Sequence, residues 1–120
     1  MQGGMKLDTS ELARRIADIL ADKLAEDVVV LDLQEAATFA DYFVIASGTS
    51  ERQLQALSDA VQETLRDEGV RHVRVEGAAE SGWMLLDVSG VVVHLFSPER
   101  RAYYRLEQLW SGAKVVVRMA

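Results

Sequence analysis

Three groups of residues in this sequence could do chemistry: the turn Gly48-Thr49-Ser50, the two histidines, and the serines at 81, 89 and 97. The turn follows an apolar run and opens a helical pattern, so its backbone N–H groups could face a phosphate. Nucleotidyltransferases use a Gly-Ser turn of this kind, followed by paired carboxylates that hold two metal ions. That pair is missing here. Glu51 comes first, Asp59 and Glu63 lie on the helix body, and the next strand offers only Glu76. A lone carboxylate cannot hold two ions, so a capped helix start explains the turn better than a catalytic loop does. A nucleotide-binding or nucleotidyltransferase-type enzyme working from Gly48 to Ser50 stands as the alternative.

His72 and His94 are far apart in the chain, and neither has a second histidine or carboxylate at ligand spacing. His94 suits a hydrogen-bonded core position or a contact surface ahead of a metal site. For catalysis it would need a nucleophile within reach. Ser81, Ser89 and Ser97 are explained as turn or cap residues, and the absence of cysteine removes disulfides, thiolate metal sites and a cysteine nucleophile. The expectation is no catalytic residue, no metal and no cofactor.

The stretch around these residues, Gly82 to Trp110, holds both tryptophans and the only proline. Ser89-Gly90 separates two apolar runs, and glycine at the second turn position suits the positive φ of a tight hairpin. That loop places Val88 opposite Val91, Asp87 opposite Val92, Leu86 opposite Val93, Leu85 opposite His94, Met84 opposite Leu95 and Trp83 opposite Phe96. Because side chains alternate along a strand, one face is wholly aliphatic (Met84, Leu86, Val88, Val91, Val93, Leu95). The other mixes Trp83, Leu85, Val92 and Phe96 with Asp87 and His94. Large aromatics with arginine dominate protein interfaces. A patch of Trp83, Leu85 and one of the adjacent Tyr103 and Tyr104 is therefore a candidate binding site, and a helix covering the same face is the competing reading.

The elements that position this hairpin follow from periodicity. Asp8 and Glu11 form a capping box before Leu12, Ile16, Ile19, Leu20 and Leu24 recur at helical spacing, with the helix predicted to end near Glu26. Val28 to Leu33 and Asp41 to Ser47 read as buried strands. Ser50 with Gln53 forms a second capping box, and Leu54, Leu57, Val61 and Leu65 mark an inward face up to Gly69. Arg71 to Glu76 alternates as a strand with one wet face. Ser97-Pro98 starts a final helix through Trp110, carrying the one basic cluster, Arg100, Arg101 and Arg105. The prediction is a single α/β domain, a five-stranded mixed sheet with three helices in the order α-β-β-α-β-β-β-α. Residues 1–7 read as a flexible leader, 8–112 as the domain, and 113–120 as a tail whose Val115 to Val117 could pack back.

The chain has 120 residues, 49% of them hydrophobic, and 13 basic against 19 acidic residues leave a net charge of −6. Such a chain folds around one core. No apolar run reaches the ~18 residues of a membrane span, and no export signal opens the chain, so a cytoplasmic protein is expected. With little clustered positive charge, free nucleic acid is a poor partner. A basic protein is a better one. Glu26, Asp27, Glu35, Asp41, Glu76, Glu80 and Asp87 fall at strand ends or in loops; gathered at one rim, they would steer such a partner.

DYFVIASGTSERQLQALSDAV, the VEG of Val75 to Gly77, SGWMLLDVSGVVVHLF and RAYYRLEQLW together resemble the ribosomal silencing factor (Iojap-like) family. The resemblance runs from about Asp8 to Trp110 and rests on four motifs. These are the Asp-Tyr-Phe-Val strand, the Ser-x-Arg-Gln helix start, the Gly-Trp-x-Leu-x-Asp hairpin and the Tyr-Tyr-x-Leu-Glu-x-Leu-Trp helix. It implies a nucleotidyltransferase-like fold without the catalytic carboxylates. It also implies binding to the fourteenth large-subunit ribosomal protein, a steric block to subunit joining that lowers translation, and a homodimer when free. Carried to matching positions, the partner surface would comprise Trp83, Leu85, Asp87 and Tyr104, with Glu76 and Gly77 nearby.

Overall fold

The computed structural model describes residues 8–35, 39–104 and 113–119, and for 102–104 the path of the chain without its side chains. The leader 1–7, Arg105 and the aromatic end of the last helix (Leu106, Leu109, Trp110) lie outside the described residues, as do the side chains of Tyr103 and Tyr104.

Helix α1 (Thr9–Asp22) opens on the expected capping box, Glu11 N–H donating to Asp8 and Asp8 N–H to the Glu11 carboxylate. It buries Leu12, Ala13, Ile16, Ala17, Ile19 and Leu20. It stops at Asp22 rather than near Glu26, because Leu24 turns into the left-handed region at φ 65. Leu24 N–H then reaches Ala21 O and Ala25 N–H reaches Leu20 O, which closes the last turn on itself. Strands β1 (Glu26–Asp32) and β2 (Tyr42–Ser47) follow and pair antiparallel. Helix α2 (Glu51–Asp67) then buries Leu54, Leu57, Val61 and Leu65.

Strand β3 covers Arg74–Ala78, not Arg71 to Glu76. Its register sets Arg74 opposite Asp87, which would put Val73 against Val88 and leave Arg71 and His72 facing a turn with no ladder to offer. A 3-10 turn (Ala79–Ser81) leads to β4 (Trp83–Val88) and β5 (Val91–Phe96). All six predicted hairpin pairs are present, from Val88 with Val91 to Trp83 with Phe96. Ser89 and Gly90 both take positive φ, 44° and 92°, as a two-residue loop matching the strand twist requires. Helix α3 (Pro98–Tyr104) starts on the Ser97 hydroxyl, which accepts the Arg100 N–H at 3.2 Å.

Among the described residues the sheet has six strands, not five, in the order β3-β4-β5-β2-β1-β6. The added strand is β6 (Lys114–Met119), antiparallel to β1, with Val28 opposite Met119 and Asp32 opposite Lys114. Among the described strands only the β2–β5 pair runs parallel. Both α1 and α2 pack on the face that carries Met84, Leu86, Val88, Val91, Val93 and Leu95, all buried. Burying each such side chain stabilises by roughly 1.5–3 kcal/mol. The opposite face has its own smaller apolar layer of Val29, Leu31, Phe43, Ile45 and Phe96, with Trp83 and Val92 at its border. Among the described residues no helix is long and apolar enough to cross a membrane.

Candidate partner-binding site

The second face of the hairpin ends in a groove of about 310 Å³ lined by Glu76, Gly77, Ser81, Trp83, Leu85 and Arg100. Strand pairing explains the assembly. Glu76 stands opposite Leu85 and Gly77 opposite Met84, so β3 delivers its acidic residue beside the apolar side chains of β4. Asp87 continues the same face one step along, opposite Arg74. Arg74 forms an exposed 3.2 Å ion pair with Glu76. Of the residues assigned to the partner surface, Glu76, Gly77, Trp83 and Leu85 thus share one groove, and Asp87 shares their sheet face. Tyr104 is the last described residue of α3, with its side chain outside the described residues. Ser81, read from the sequence as a turn or cap residue, and Arg100, read as part of the basic cluster of the last helix, also line the groove; neither was assigned to the partner surface, because it is the fold of α3 against Gly82 that brings Arg100 there.

Trp83 is neither sealed nor free. Its indole stacks on Phe96 with centroids 5.2 Å apart, and its Nε1–H donates to His94 Nδ1 at 3.2 Å. Two glycines bracket it. Gly77 sits at φ +81, and a Cβ there would come within 2.4 Å of the Trp83 carbonyl oxygen. Gly82, also at φ +81, would place a Cβ 2.8 Å from the Ser97 hydroxyl and 2.9 Å from Arg100 Cγ. Neither position has room for a side chain. Ser81 adds a 2.7 Å bond from its hydroxyl to the Ala78 carbonyl, tightening the same bend. The result is a partly buried aromatic with little freedom, on the wall of an open groove.

His94 is a buried core histidine. It lies 4% exposed against Phe43, with ring centroids 4.5 Å apart, and beside Phe96. Burial pushes its pKa down to about 4, so the imidazole is neutral at physiological pH. Among the described residues no group of three or more His, Asp or Glu stands close enough to hold a metal.

At the glycine turn, two backbone donors are engaged within the chain, Gly48 N–H by the Phe96 carbonyl at 2.9 Å and Thr49 N–H by a side chain. Thr49 N–H donates to Gln53 Oε1 at 2.6 Å, and Gln53 N–H donates to the Ser50 hydroxyl at 3.0 Å. The second capping box is therefore half formed: Gln53 bonds Thr49 rather than Ser50, and its amide reaches Leu24 O. The acidic residues do not gather at one rim. Glu26 stands opposite Ser47 at one end of the sheet, while Asp41 binds Gly90 and Thr9 at the other. Glu76 and Asp87 lie on the face of Trp83, on β3 and β4.

Comparison with known proteins places this architecture. Residues 6–119 match the family model described as "Ribosomal silencing factor during starvation". The ribosomal silencing factor RsfS of Halalkalibacterium halodurans is 37% identical over 92% of this chain and 94% of its own. That of Bacillus subtilis is 40% identical over 77% of this chain and 78% of its own. The crystal structure of a Chromobacterium violaceum protein superposes with a TM-score of 0.83 at 34% identity, covering 92% of this chain and 94% of that one. The chain belongs to the ribosomal silencing factor family.

Proposed function

We propose that this protein silences translation by docking on the fourteenth protein of the large ribosomal subunit. It would dock through the groove of Glu76, Gly77, Trp83 and Leu85, with Asp87 and Tyr104 extending the contact. There it occupies the surface on which the small subunit joins. The observation that carries this reading is Trp83: an aromatic side chain held in one orientation yet still lining an open groove. Preorganised aromatic anchors beside arginine are where interface energy concentrates, because little side-chain entropy is lost on binding. The net charge of −6 favours encounter with a basic protein. Blocking needs no bond to be made or broken, since a body of 45 × 33 × 24 Å on a joining surface excludes the other subunit. The protein acts in the cytoplasm and, when free, pairs with a second copy. Its relation to nucleotidyltransferases is one of fold alone; the strand, glycine turn and capped helix from Tyr42 to Asp67 support that relation.

Sucrose-gradient profiles test the proposal. Added to ribosomes, the protein is expected to raise free subunits at the expense of joined particles. Trp83→Ala is expected to lose more than ~2 kcal/mol of binding, about thirtyfold in affinity. Unchanged profiles at saturating protein would refute it.

A further inference from the structure

An imidazole is an odd occupant of the layer in which His94 lies. Its neighbours Phe43 and Phe96 are apolar rings, and His94 Nε2 is buried without a hydrogen-bond partner among the described residues. A buried donor left unpaired is unfavourable, and a leucine or phenylalanine of similar size would carry no such penalty. What the imidazole provides is its other nitrogen. Tryptophan has a single N–H donor and no acceptor. The 3.2 Å contact between Trp83 Nε1 and His94 Nδ1 therefore requires Nδ1 to be the unprotonated nitrogen, with the proton on Nε2. The ring is clamped in that role, nearly parallel to Phe96 at 7° and edge-on to Phe43 at 74°.

We propose that His94 is the positioning residue of the docking groove: a clamped acceptor that fixes the rotation of the Trp83 indole before a partner arrives. Stacking on Phe96 sets the plane of the indole but leaves it able to slide or flip within that plane. The hydrogen bond at its edge selects one orientation. This rests on the reading of the groove as the docking surface.

The indole N–H resonance of Trp83 in an amide-correlation NMR spectrum, assigned by its loss in Trp83→Phe, reports the bond directly. In His94→Leu the resonance is expected to move upfield and exchange faster with water, and affinity for isolated large ribosomal subunits to fall about fivefold to tenfold. His94→Asn, whose amide oxygen can stand near Nδ1, is expected to restore both in part. Trp83→Phe keeps a ring and removes the donor, so adding His94→Leu to it is expected to change affinity no further. An unmoved resonance in His94→Leu, or a moved one with undiminished affinity while Trp83→Ala still loses binding, overturns the proposal. If Trp83→Ala binds as well as the unaltered protein, the docking reading fails, and the resonance still decides whether His94 holds the indole. Should His94→Leu not fold, the comparison of Trp83→Phe with His94→Asn decides: weakening in the first and near-normal binding in the second supports the proposal, and the reverse overturns it.

Discussion

Gly77 and Gly69 both adopt positive φ, at +81 and +93, yet they impose different demands. A Cβ on Gly69 meets nothing within 4 Å, whereas one on Gly77 would collide with the backbone of Trp83. Gly69→Ala is expected to cost about 1 kcal/mol, the left-handed backbone penalty alone. Gly77→Ala is expected to cost at least ~2 kcal/mol and to displace Trp83, because backbone cannot yield as a flexible side chain can. Urea denaturation of the two variants gives the comparison, and equal losses would dismiss the close contact. Leu24 is the opposite case. It holds φ 65 and is 78% exposed, where glycine would be unstrained. Leu24→Gly is expected to stabilise the fold by about 0.5–1 kcal/mol, the relieved strain exceeding the added chain entropy. A lower denaturation midpoint would contradict this.

At the scale of elements, the hairpin was fully legible because its loop residues dictate the register: once Ser89 and Gly90 make the turn, every pair from Val88–Val91 to Trp83–Phe96 is forced. Alternation then placed Trp83, Leu85 and Asp87 on one face. The orientation of the indole was not legible, since His94 lies diagonal to Trp83 and a rotamer leaves no mark in a pattern of residue types. Strand β6 was missed for a related reason. Lys114 to Met119 is a short apolar run whose partner, β1, already had a neighbour in β2, and no local signal says that an edge is still open. A chain ending at residue 113 is expected to expose that edge. Hydrogen exchange would show lost protection at the N–H groups of β1 that face β6, and light scattering would show self-association. Retained protection and a monodisperse solution would mean that β6 contributes little.

For the molecule as a whole, pH links burial to stability. The pKa of His94 is depressed to about 4 in the folded protein against 6.5 unfolded, so between these values the unfolded chain binds the extra proton. Stability from this group is complete above pH ~6.5 and is lost as pH falls toward 4, by on the order of 3 kcal/mol. Denaturant titrations at pH 7 and pH 4.5 are expected to show this loss, and a smaller one in His94→Asn. The same slope in both would assign the acid sensitivity to other groups. The glycine turn allows a separate global test. A nucleotidyltransferase-type protein gains thermal stability from nucleotide and magnesium by mass action. Here Gly48 N–H and Thr49 N–H are already engaged within the chain and the paired carboxylates that would hold magnesium are missing, so no shift is expected, and a clear one would revive the enzyme reading.

The pairing of β1 with β6 also bears on how the chain is made. Val28 leaves the synthesising ribosome long before Met119, its partner in the finished sheet. Until then β1 has an open flank, and contacts so distant in sequence form slowly. The local hairpin, by contrast, can close within microseconds of emerging. A nascent copy of this protein therefore completes its groove-bearing hairpin before it completes its sheet.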